Sequence, residues 1–132
     1  MNSNEVGSVV LVVIGVVMVS AGVLMIWLGR KSRNGTLNRN HIAGVRTGLT
    51  LSSDVACYPA QRAAARSTGI AGWGSIVTGA TTVALSLFSL PFSTRMLLAL
   101  CLTLGGAAWL LGWAIAGAFA AQRAARDAVD TP

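Results

Sequence analysis

The apolar positions of this chain fall into three blocks separated by polar stretches. Residues 6–28, VGSVVLVVIGVVMVSAGVLMIWL, run for 23 positions without a charged side chain, and a helix crossing a bilayer needs about 20. Residues 70–90, IAGWGSIVTGATTVALSLFSL, form a second block that stops at Pro91. Residues 96–121, MLLALCLTLGGAAWLLGWAIAGAFAA, form a third that stops before Gln122 and Arg123. The second is the least apolar, because Gly, Ser and Thr fill much of its first half. The pattern predicts an all-α integral membrane three-helix bundle in a single domain, residues 1–132. Its transmembrane helices are expected at about 6–28, 70–90 and 96–121, with a polar segment at about 29–69. The first block is expected to be retained rather than cleaved. Its leading residues MNSNE carry no Lys or Arg, and it exceeds the roughly 7–15 apolar residues of a signal peptide.

Composition supports this reading. Charged residues make up 11% of the chain and apolar ones 54%, whereas a soluble domain carries about 25% charge. Three uncharged blocks leave too little polar surface for a soluble fold.

The net charge of +6 first suggests an acidic partner such as nucleic acid, but the positions of the basic residues point elsewhere. Arg30, Lys31, Arg33, Arg39, Arg46, Arg62 and Arg66 lie between the first two blocks, and Arg123 and Arg126 follow the third. Only Arg95 lies in the short turn between the second and third. Excess Lys and Arg mark the cytoplasmic side, so the N-terminus is expected outside and the C-terminus in the cytoplasm. Anionic lipid headgroups account for the charge. No aromatic residues interleave with the arginines as base-stacking would require, so no direct nucleic-acid contact is expected.

Helices in lipid associate where small residues allow close approach. Gly15, Gly22 and Gly29, with Ser8 before them, recur every seven residues in the first block. Ala71, Ser75 and Gly79 recur every four in the second, as do Ala108, Gly112, Ala116 and Ala120 in the third. These faces serve either packing within one bundle or a seam between copies. Trp27, Trp73, Trp109 and Trp113 suit interfacial anchoring. No ionisable residue falls within the three predicted spans, which argues against a pump or a proton-coupled transporter.

The segment 29–69 is polar and patterned. Asn34-Gly35 signals a tight turn. Ser52 or Ser53 can cap a short surface helix with Asp54 in its first turn, and Pro59 can begin a further helix leading into the second span. Arg62 and Arg66, four residues apart, would share a face, either as anchors or as a site for an external anion.

One stretch, NHIAGVRTGLTLSSD at 40–54, carries a resemblance. Asn40, Gly44, Val45, Arg46, Thr47, Thr50, Leu51, Ser53, Asp54, Ala56, Arg62 and Ala63 match the pattern of the SdpI/YhfL family of small bacterial membrane proteins. The placement agrees, since the family's motif follows one span and precedes two. The resemblance implies a multi-pass protein of the bacterial plasma membrane that gives immunity against a membrane-active peptide toxin and signals by holding a cytoplasmic repressor. It makes Asn40, Gly44, Arg46, Thr47, Thr50, Ser53, Asp54 and Arg62 the expected partner-binding residues, with an Arg46–Asp54 pair that merely fixes the loop as the other reading. The chain departs from the family at Cys57, where a Trp is usual, and at Gln61, where a His is usual. Pro59 changes the helix between them.

No enzyme is expected. His41 is the only histidine and three of the four acids lie near the termini, so no nucleophile, base and orienting group can be assembled. Nor do one His and two distant cysteines, Cys57 and Cys101, make a metal shell, and no cofactor is expected. An accessory subunit that stabilises a larger membrane complex through its small-residue faces is the competing reading.

Overall fold

The computed structural model describes residues 2–35 and 54–130, without the side chains of 54–56. Among the described residues the chain is all-helical, with α1 at Ser3–Arg33, α2 at Asp54–Ser86 and α3 at Phe92–Asp130. Of these, α1 and α3 are long and apolar enough to cross a membrane. Only 17% and 11% of their most apolar stretches are buried inside the protein. Val13, Val17, Leu24, Leu97, Leu104, Leu111 and Phe119 all point outward.

The central helix α2 packs along both neighbours, while α1 and α3 hardly touch. Its lower hydropathy follows from that position, because fewer of its side chains face outward. Several serines and threonines of the helices direct their hydroxyls to carbonyls one turn back. Thr78 donates to Gly74 O at 2.9 Å, Thr82 to Thr78 O at 2.8 Å and Thr103 to Ala99 O at 2.8 Å. A hydroxyl satisfied within its own helix adds little polarity to an apolar surround.

Helices α1 and α2 run antiparallel along a glycine seam. A Cβ on Gly15 would lie 2.7 Å from Gly79 O, one on Gly22 2.6 Å from Gly72 O, and one on Gly29 3.1 Å from Ala65 O. The seven-residue spacing of α1 is thus met by Ala65, Gly72 and Gly79 of α2, also seven apart. Within the seam Ser75 Oγ donates to Met18 O at 2.8 Å.

The third helix uses a different face from the expected one. Gly112 has open space where a Cβ would stand, and Ala116 is exposed. The buried side of α3 is Ala99, Gly106, Gly117, Ala121 and Ala125. Gly106 sits against Thr78, and Gly117 against Ser67 and Ala64. Trp109 lies across Gly74 and its Nε1 donates to Ile70 O at 3.4 Å. Both faces of α3 are lined by small residues, so small size alone does not select between them. Seating the large Trp109 ring over a residue without a side chain fixes the rotation.

Two boundaries also differ from the sequence reading. Instead of a break at Pro59, α2 runs through it from Asp54. Pro59 is the sixth residue of the helix, just past the first amides that lack partners, so it removes one hydrogen bond near the N-terminal end of a long helix that continues beyond it. Beyond the expected end of the third block α3 continues to Asp130, where Ala121 and Ala125 pack with Ala60 and Ala64 of α2.

Valine at Gly22 is expected to destabilise the α1–α2 seam by about 1–3 kcal/mol, the usual range for overpacking. Valine at Gly112 should change stability by about 0.5 kcal/mol or less, as at an open surface position. Ser75→Ala should cost about 0.6 kcal/mol, the mean for a hydrogen bond between helices in a membrane protein. Unfolding in mixed micelles followed by circular dichroism separates the three.

Candidate functional site

The basic residues gather where α1 ends and α2 begins. The last turn of α1 carries Arg30, Lys31 and Arg33, which suits the negative end of its dipole. The helix closes at Asn34, whose amide donates to Arg30 O at 3.0 Å. Gly35 follows with φ +68°, the left-handed conformation that ends many helices and that glycine adopts without strain. The turn expected at Asn34-Gly35 lies there.

Arg62 reaches this turn from α2, with Nη2 2.9 Å from the point where a Cβ on Gly35 would stand. Arg66 lies one turn further along α2. Together with Arg30 and Arg33 they line a cleft of about 600 Å³ between the helices, whose apolar wall is Ile26, Ile70 and Trp73. Four exposed guanidinium groups over an apolar floor can receive an anionic group attached to an apolar body.

The other predicted residues divide into two sets. Asn40, Gly44, Arg46, Thr47, Thr50 and Ser53 lie outside the described residues, as do His41 and the side chain of Asp54. Of the expected partner-binding set, the structure therefore places Arg62 in full and Asp54 as the first residue of α2. Gly15, Gly22, Gly29, Ser75 and Gly79 meet in the α1–α2 seam, and Gly112 and Ala116 do not join it. The two departures from the family pattern turn inward. Cys57 and Gln61 are both buried, and Gln61 Nε2 donates to Cys57 Sγ at 3.2 Å. Both cysteines are free.

The four tryptophans are spread over neighbouring turns of the bundle. Gly29 faces Ala65 and Gly22 faces Gly72, which sets Trp27 beside the 65–72 stretch of α2. Trp73 follows directly after that stretch, and Trp109 reaches Ile70 O. Trp113 follows one turn later, its ring centroid 5.8 Å from that of Trp109. Lys31 Nζ stands 4.7 Å above the Trp27 ring, within the range of a cation–π contact. An aromatic girdle therefore borders the arginine cleft.

At the far end of the bundle the structure adds a residue that the sequence reading left in a turn. Arg95 belongs to the first turns of α3 and is buried, with 8% of its surface exposed. Its Nη1 donates to Ser8 Oγ at 2.8 Å, and its Nη2 to Phe88 O at 2.9 Å and Leu90 O at 3.4 Å. The guanidinium ties the starts of α1 and α3 to the turn that follows α2. The one sequence signal for it was its isolation, as a single cation between two apolar blocks.

Replacing Gly35 with alanine is expected to cost about 1 kcal/mol, because an L-residue is strained in the left-handed region. Asparagine, which tolerates that region better, should cost less. Thermal unfolding of the two variants in detergent measures the difference.

No protein-family model, curated protein or solved structure matches this chain, and its function is therefore read from its own residues.

Proposed function

We propose that the chain is a non-enzymatic, multi-pass protein of the bacterial plasma membrane, of the SdpI type, that protects against a membrane-active peptide and engages a cytoplasmic partner. The observation that carries the membrane part is a length. Ser8, held by Arg95, and Trp27, in the aromatic girdle, bound the uncharged stretch of α1. They are separated by roughly 28 Å at 1.5 Å per residue, close to the hydrocarbon thickness of about 30 Å. Outward valines and leucines fill the space between, a larger apolar surface than a soluble monomer exposes. In this reading all three helices cross the bilayer, and α2 crosses shielded by its neighbours.

Charge sets the orientation. The end with Arg30, Lys31, Arg33, Arg62, Arg66, Arg123 and Arg126 faces the cytoplasm, and the Arg95 end faces outward. The arginine cleft then opens at the inner headgroups, beside the chain that carries the patterned stretch 40–54. The protective role itself comes from the family resemblance of that stretch. Arg46 would supply a planar fork of donors to a carboxylate of the partner, and Arg62 a second.

The accessory-subunit reading has one observation in its favour. Ala108, Gly112, Ala116 and the outer side of Trp109 form an uncovered face of α3 on which a helix of a larger complex could rest. Purification in mild detergent separates the readings, since a stoichiometric large partner favours the accessory role.

Expression of the chain in a sensitive bacterium is expected to raise tolerance to a membrane-active peptide, and Arg46→Ala to remove that gain. Unchanged survival across a panel of such peptides would falsify the protective role. Green fluorescent protein fused after Pro132 should fluoresce, while alkaline phosphatase at the same place should stay inactive. The reverse result overturns the orientation.

A further inference from the structure

The sparse contact between α1 and α3 leaves a cleft of about 550 Å³ at the Arg95 end, within the roughly 300–1,000 Å³ of small-molecule sites. Its walls are almost wholly apolar and include Val10, Ile14, Met96, Leu100 and Thr103, with Arg95 at its head. The charge on Arg95 is not neutralised by its partners. All three hydrogen bonds end on uncharged oxygens, and its buried Nε has no hydrogen-bond partner. Glu5 is the one acid at this end of the bundle, and its carboxylate accepts the Asn2 amide at 2.9 Å on the exposed start of α1. Asp54 and Asp130 stand at the opposite end of their helices. Two helix N-termini, of α1 and α3, and one C-terminus converge here, so the backbone dipoles leave the site positive as well.

We infer that this cleft binds one anionic phospholipid, with its phosphate against Arg95 and an acyl chain along Val10, Ile14, Leu100 and Thr103. A buried cation without a counter-charge is costly, and a phosphate diester carries the single negative charge that balances it. The hydrocarbon tail fills a groove that neither α1 nor α3 closes. The depth fits as well, since Arg95 and Ser8 mark one edge of the apolar zone, where a headgroup of the outer leaflet sits. The inference rests on the membrane reading above and not on the protective role.

The test uses the full chain with Arg30, Arg33, Arg62 and Arg66 changed to Gln, so that the basic cleft at the other end cannot contribute. Native mass spectrometry from neutral detergent compares added dioleoyl phosphatidylglycerol with dioleoyl phosphatidylcholine, which has the same chains and no net charge. One phosphatidylglycerol per chain is expected to be retained, with a preference of about tenfold, equivalent to 1.4 kcal/mol. Arg95→Gln should abolish the preference and Arg95→Lys should keep part of it. Thr103→Trp, which fills the groove without touching Arg95, should lower retention of both lipids. Equal retention of the two lipids by the parent chain overturns the proposal, as does a preference that survives in Arg95→Gln. If Arg95→Gln fails to fold, unchanged lipid retention in Thr103→Trp still overturns it. Peptide tolerance is not read here, so the lipid site and the protective role can fail independently.

Discussion

Backbone contact between α1 and α2 is the constraint on which the rest of the bundle depends. At Gly15, Gly22 and Gly29 the helices come so near that a backbone carbonyl of the partner, of Gly79, Gly72 or Ala65, stands against each glycine. Close packing is joined there by the hydrogen bond from Ser75 to Met18 O, the combination that holds helices together when they lie in lipid. The repeat of seven keeps the contact on one side of each helix. It also marks one longitudinal register, in which Gly79 stands against Gly15 and Gly72 against Gly22. With α1 and α2 locked, the relative levels of Trp27, Trp73 and the arginine cleft follow.

The two ends of the bundle handle positive charge differently. At the arginine cleft the guanidinium groups are exposed, and solvent or headgroups can screen them. Arg95, in α3, is enclosed and tied to α1 and to the turn that follows α2. It holds the turn after α2 by donating to the Phe88 and Leu90 carbonyls, which accounts for its structural role without neutralising its charge. The same residue thus joins the helices and leaves a positive point beside an apolar groove.

Much of this architecture was legible in the residues. The three apolar blocks, the turn at Asn34-Gly35 and the sevenfold glycine spacing of α1 are local properties of the chain, set by hydropathy and backbone freedom. The active face of α3 was not legible, because Gly112 and Ala116 look as suitable for packing as Gly106 and Gly117. Pro59 misled in the same way, since its effect depends on how near it lies to the start of a helix whose length the sequence does not mark. The expected partner-binding residues from Asn40 to Ser53 lie outside the described residues, and their reading stays with the sequence pattern.

Helicity, the three apolar blocks and the concentration of basic residues are written into the residues themselves, because hydropathy and charge are additive along the chain. Tertiary structure alone decided which small-residue stripe of α3 is buried, that Cys57 and Gln61 turn inward, and that Arg95 is enclosed beside an open groove. Those outcomes depend on how side chains from different helices compete for the same space, and no single helix encodes them.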